Sequence, residues 1–119
     1  MSPCGGGFSN LIAEESAATA TATEDIFDGP GTLRAFNIKN AATSDPVFLK
    51  LYQGLSADEN DEPWMVIPVA TLEECKAVFP TGLPFTTGLC MRCTTGAATS
   101  DTGSPAGGNV TVTLAATPS

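Results

Sequence analysis

Pro80-Thr-Gly-Leu-Pro-Phe85-Thr-Thr-Gly88-Leu-Cys90-Met-Arg-Cys93-Thr-Thr-Gly96 is followed by a polar tip and then by Asn109-Val-Thr-Val-Thr-Leu114. Val110, Val112 and Leu114 recur at every second position, the spacing of a strand with one buried face. Residues 88–95 read as a second strand. The segment joining the two runs is built from Gly, Ala, Ser, Thr and Pro, with Asp101 its one ionisable residue. It is long and polar for a hairpin loop, which makes it either mobile or placed for contact. Two β-type runs around such a loop predict a β-rich module.

Reading toward the N-terminus adds further strands. Val47-Phe-Leu-Lys-Leu-Tyr-Gln53 alternates, with Val47, Leu49 and Leu51 inward and Phe48, Lys50 and Tyr52 outward. Over Thr32–Lys39 the apolar positions change face between Leu33 and Phe36, which predicts a bulge or a strand covered on both sides. The Asn40–Pro46 segment has turn chemistry, so these two strands are expected to pair as an antiparallel hairpin. Trp64–Ala70 is a further strand, and Pro68 within it argues for an edge or a bulge. Thr71 and Glu74 fit a capping box, so Thr71–Phe79 reads either as one helical turn or as a strand ended by Pro80. The expected architecture is mainly β: a small antiparallel, jelly-roll-like β-sandwich over residues 31–119. Its large core anchors would be Phe36, Phe48, Tyr52, Trp64, Phe79 and Phe85.

Composition limits what such a module does. The 119-residue chain carries 13 acidic and 5 basic residues, a net charge of −8, and has no histidine. Its cations Arg34, Lys39, Lys50, Lys76 and Arg92 are scattered singly, so phosphate would be repelled. That argues against nucleic-acid partners and against anionic membranes. Met1–Gly7 has neither a basic n-region nor an apolar h-region, and no run approaches the ~18 apolar residues of a membrane span. Synthesis and folding in a cytoplasm are expected, and the Asn109-Val-Thr111 glycosylation pattern reads as an accident within a strand.

The chain offers no catalytic constellation. No serine or cysteine has a histidine base, and no phosphate-binding glycine loop is present. Asp58, Glu59, Asp61 and Glu62 crowd one loop, but Pro63 and Val69 stand where a calcium loop needs its Gly and Glu. Cys90 and Cys93 have C-x-x-C spacing, yet Cys4 and Cys75 lie far from them, and strand alternation would send the pair to opposite faces. The cysteines are read as small buried hydrophobes, with no cofactor or metal and no enzymatic activity expected.

Residues 1–30 differ in character. Isolated apolar anchors, Phe8, Leu11, Ile12, Ile26 and Phe27, sit among Gly5–Gly7 and the Ala/Thr run 17–23. Such a segment cannot build its own core. It is read as an extended N-terminal arm, either disordered or ordered against a partner chain, with those five residues as the interface. Removal of residues 1–28 is then expected to leave the sandwich folded. Thr19–Thr23 alternates with period two and could add a strand to an edge.

The run from the Asp28–Gly31 turn through Val47-Phe-Leu-Lys-Leu-Tyr52, Phe79-Pro80, Gly82-Leu83, Phe85, Thr87-Gly88 and Thr94-Thr95-Gly96 to Ser100-Asp101 resembles small virion proteins of tailed bacteriophages. The resemblance spans about residues 29–115 and leaves out the first thirty. It implies a structural protein of the phage head or tail, assembled in the host cytoplasm; the acidic surface without a basic patch and the anchored arm point to a capsid decoration (cement) protein on the exterior of the head that ties neighbouring capsomers together. The implied partners are the major capsid protein and further copies of the chain, as a dimer or trimer. A tail, neck or fibre-associated virion protein is the alternative in the same class. A β-sandwich module binding a host surface through loop 96–108 is the alternative outside it.

Overall fold

Eight runs of the chain are extended, and one rule describes their pairing. The computed structural model describes residues 11–15, 18–20, 23–54, 56–105 and 109–118, and none of these is helical. The strands are β1 Leu11–Glu15, β2 Thr23–Asp28, β3 Gly31–Asn40, β4 Val47–Gln53, β5 Met65–Val69, β6 Glu74–Phe85, β7 Gly88–Thr94 and β8 Val110–Pro118. β4 pairs with β5, β3 with β6, β2 with β7 and β1 with β8, all antiparallel. The chain is thus one long hairpin bent at the loop 54–64, each outer pair following the one inside it. Pairing of β3 with β8 and of β4 with β7 completes two four-stranded sheets. Their orders are β1-β8-β3-β6, sheet A, and β2-β7-β4-β5, sheet B. Eight strands nested in this way across two packed sheets make a jelly roll, the expected class.

Alternation builds the core. Sheet A contributes Leu33, Phe36, Ile38, Val110, Val112 and Leu114, and sheet B contributes Val47, Leu49, Leu51, Leu89, Met91 and Cys93. Each fully buried aliphatic or aromatic side chain is worth ~1.5–3 kcal/mol relative to exposure. At one end of the core Phe85 lies between Phe27, at 6.2 Å between ring centroids, and Trp64, at 6.3 Å. Phe36 and Phe79 form a second tilted pair at 5.8 Å. The change of face in β3 is a bulge at Arg34, where the register with both neighbouring strands shifts.

Three expectations are corrected. β3 and β4 are not a hairpin, because they lie in different sheets and residues 41–46 cross between them. Both strands carry buried residues on an inner face, so facing each other across the core covers more apolar area than pairing would. Asn40 fixes the crossing: it is 1% exposed, its Nδ2 donates to the Asp45 and Ala70 carbonyls at 3.1 and 3.3 Å, and its Oδ1 accepts from Ala42 N at 3.0 Å. Residues 71–73 form a turn, with Leu72 at φ 58°, and β6 then runs through Pro80 instead of stopping before it. β6 is the edge of sheet A, where a missing N–H costs no ladder bond. Pro68 likewise sits in β5, the edge of sheet B.

The third correction concerns residues 1–30. Leu11–Glu15 and Thr23–Asp28 are edge strands of the two sheets, so the sandwich includes these residues and the division at residue 30 does not separate an arm from it. Residues 18–20 also join the body. Ala18 is buried and donates to Val110 O at 3.0 Å, and Thr19 O accepts from Cys93 N at 2.8 Å. Phe27 is 1% exposed within the core.

Removal of residues 1–28 is now expected to abolish cooperative folding, since it deletes two strands and one ring of the Phe27–Phe85–Trp64 cluster. Phe27→Ala in the full chain should cost about 3–5 kcal/mol. Urea unfolding followed by Trp64 emission measures both, and a truncated chain with an unchanged midpoint would contradict this placement.

Candidate functional site

The two outer faces of the sandwich differ. On sheet B, strand alternation sends Phe48, Lys50 and Tyr52 of β4 and Cys90, Arg92 and Thr94 of β7 away from the core. Yet Lys50, Cys90 and Thr94 are 0% exposed, and Tyr52 and Arg92 are 2% exposed. Residues 95–105 and 18–20 cover them. Lys50 Nζ donates to Ala98 O at 2.5 Å. Arg92 donates to Ala20 O at 2.9 Å, to the Tyr52 hydroxyl at 3.1 Å and to Asp101 O at 2.8 Å. The Asp101 carboxylate accepts from Gly103 N at 2.8 Å and packs against Gly96. Among the described residues no buried side-chain nitrogen or oxygen lacks a partner.

Lys50 is on the outer face, as the alternation predicts, but it is buried there beneath the loop. Lys50 and Arg92 stand directly opposite each other in the β4–β7 ladder. Like charges in that position repel, and backbone carbonyls with Asp101 nearby offset the repulsion. Burial holds the Lys50 amine below its ordinary value of 10.5; Arg92 acts in the same direction and Asp101 against it. The folded chain holds that proton less tightly than the unfolded chain does, so the Lys50 contribution to stability grows as pH rises toward 10.5.

Cys90 and Cys93 do point to opposite faces, Cys90 beside Tyr52 and Cys93 beside Leu49 in the core. Burial pushes the Cys93 thiol from 9.0 up to about 12. A thiolate nucleophile or ligand at neutral pH is thereby disfavoured at this position.

Among the described residues, none covers the centre of sheet A's outer face, where Ile12 and Val78 are exposed. Ile12, Ala115, Ala35 and Val78 are successive partners across β1, β8, β3 and β6. Ile12 and Val78 are each 75% exposed, separated by about 14 Å at ~4.8 Å per strand, and the two alanines form a floor between them. Thr113, Asn37 and Lys76 make the next row. Together these rows form a groove of about 280 Å³. Such an open volume, at the lower limit of small-molecule sites, suits protruding side chains of a macromolecule better than an enclosed ligand.

Charge follows the same division. Of the five Lys and Arg residues Lys50 and Arg92 are buried, which leaves Arg34, Lys39 and Lys76, all exposed. All three are on sheet A's outer face. Arg34 Nε donates to the outward Thr117 Oγ1 at 3.2 Å, while Lys39 and Lys76 alternate with inward-facing Ile38, Cys75 and Ala77. Glu74 stands opposite Lys39. The exposed acids Asp58, Glu59, Asp61 and Glu62 lie in the β4–β5 loop.

The five anchors expected from the sequence separate accordingly. Ile12 lines this groove. Phe27 is a core residue, and Ile26 packs partly buried against the core, so neither is available as a free anchor. Leu11 pairs through its backbone with Ala116, its side chain being outside the described set, and Phe8 lies outside the described residues. Val78 and the grouping of Arg34, Lys39 and Lys76 on one face were missed because each looks isolated in sequence. Only the register of four strands gathers them.

No known family model matches the chain, and no curated protein matches it either.

Replacing Arg92 with Met should release residues 95–105, raising amide exchange there and costing about 3 kcal/mol, because two carbonyls and a buried hydroxyl lose their donor. Between pH 9.0 and about 10.5 the unfolded Cys93 ionises while the folded thiol does not, so the native state should lose about 2 kcal/mol from this group. Denaturation midpoints of wild type and Cys93→Val across that range isolate the effect, since Lys50 acts equally in both.

Proposed function

We propose that this chain is a virion structural protein, a decoration protein that attaches to the exterior of a tailed-phage head by sheet A's outer face. The carrying observation is the contrast between the two outer faces. The centre of one is closed by the chain's own loop, whereas no described residue covers the other, which is apolar at its centre with Lys76 beside it and Arg34 and Lys39 elsewhere on the same face. The resemblance over residues 29–115 supports the virion class. The jelly-roll topology is compatible with it, although this fold serves capsid and lectin roles alike and cannot by itself choose. The chain acts mechanically, bridging neighbouring subunits through many equivalent contacts whose avidity multiplies a modest single affinity. Its remaining acidic surface suits the outside of a shell better than contact with packaged DNA.

The same observation weighs against the host-surface alternative, whose contact loop 96–108 is in part tied down by Lys50 and Arg92. A neck or tail position differs in stoichiometry. Purified protein should co-sediment with heads that lack it, saturate at a ratio comparable with the major capsid protein, and be cleaved by protease added to intact particles. Saturation at a few copies per particle would favour the neck or tail, and protection until particles are opened would contradict exterior placement.

A further inference from the structure

We infer that Leu72 is a docking knob and that the groove on sheet A seats the Leu72 of a second copy of the chain. This does not rest on the phage-head reading, and attachment to a shell by the same face would compete with it. The argument starts at the turn 70–73, which Glu73 N closes by donating to Ala70 O at 3.2 Å. Leu72 is the third residue of that turn and has φ 58°, a conformation that turns ordinarily give to glycine or asparagine. Among the described residues it is the one non-glycine with positive φ. Its side chain is also 68% exposed, so neither the backbone nor water favours a leucine there.

The surrounding bonds hold the strained turn in place. Leu72 N donates to Ala42 O at 3.2 Å, Asn40 N to Glu73 O at 2.9 Å, and Asn40 Nδ2 to Ala70 O at 3.3 Å. The leucine is thus rigidly presented, and little freedom is lost when a partner takes it up. Strain kept under such constraint points to a function for the residue that bears it.

The same chain holds a matching seat. The large apolar side chains exposed among the described residues are Ile12, Val66, Leu72 and Val78. Ile12 and Val78 wall the groove, and Ala35 and Ala115 form its floor. Its volume, about 280 Å³, admits a leucine with the backbone that carries it. Seating Leu72 there covers three of those four side chains in one contact. The two cannot meet within one molecule. Val78 is ~13 Å along β6 from Glu74, and an extended strand does not fold back onto its own face. Charge does not choose this occupant. Lys76 lines the groove, the register puts Glu14 in the row of Lys76 and Glu74 opposite Lys39, and Glu73 adjoins the knob with Asp45 in the neighbouring turn. Shape and apolar character select it, and so small a contact is weak in free solution.

Two variants split the contact. Leu72→Gly removes the knob and keeps the groove. Val78→Glu keeps the knob and spoils the groove, with Ile12→Glu as a second variant on the opposite wall. The wild-type chain should self-associate in sedimentation at roughly millimolar concentration, more strongly as salt screens the repulsion between copies of charge −8. Each variant alone should associate about tenfold more weakly or less. A mixture of Leu72→Gly and Val78→Glu keeps one knob and one seat and should restore the contact. In that mixture isotopically labelled Leu72→Gly should show amide shifts at Ala35, Asn37, Thr113 and Ala115, and labelled Val78→Glu at Ala42, Leu72 and Glu73. The urea midpoint of Leu72→Gly should equal or exceed that of wild type, because glycine relieves the strain. A lower midpoint assigns the leucine to the fold and overturns the inference. So do a wild type that stays monomeric, undiminished association of Leu72→Gly, association that salt weakens, and a mixture that associates no better than its parts.

Discussion

Lys50 and Arg92 face one another across the middle of sheet B, and neither reaches water. Two cations in that position are tolerable only if carbonyl oxygens and a nearby carboxylate replace their hydration. Residues 95–105 and 18–20 supply those oxygens, from Ala98, Asp101 and Ala20. The chain between β7 and β8 is consequently folded down as a cover, and the segment before β2 is held beside it. Among the described residues, no segment closes the outer face of sheet A in the same way.

That asymmetry links folding to function. The strands with both faces covered, β4 and β7, lie at the centre of sheet B, and sheet A keeps an open face whose rows are set by the β1-β8-β3-β6 register. A slip of one residue in any of those strands would exchange the apolar row for core residues. The bulge at Arg34 matters for the same reason: it lets β3 present Leu33 inward on one side and Phe36 inward on the other, with Ala35 outward beside Val78. Proline protects two of the sheet edges, Pro68 in β5 and Pro80 and Pro84 in β6, and limits unintended pairing there.

Much of the strand content was legible because alternation is a local signal. β4, β7 and β8 carry mostly Leu, Val or Met at every second position; the limits of β4 and β7 agree with the pattern to within a residue, while β8 runs on past Leu114 to Pro118. The bulge in β3 and the edge position of Pro68 were legible for the same reason. The first two strands were not. Leu-Ile-Ala-Glu-Glu and Thr-Glu-Asp-Ile-Phe-Asp are short and acidic, and an edge strand buries only part of its length, so an isolated pair of apolar residues looks like a tethered anchor. The candidate site was the least visible part. Ile12, Ala35, Val78 and Ala115 come from four strands far apart in sequence.

The amino-acid order by itself determined that the chain is β-rich, acidic and without histidine chemistry, since composition and period-two spacing depend on near neighbours alone. It also set which residues of each strand share a face. Tertiary structure decided which strands are partners, because nested pairing and the placement of β3 and β4 in opposite sheets rest on core area gained between distant segments. It decided, too, that Lys50 and Arg92 are interior while Arg34, Lys39 and Lys76 are not. A charge on an alternating strand signals an outer face, and only the path of a distant loop determines whether water or protein lies against it.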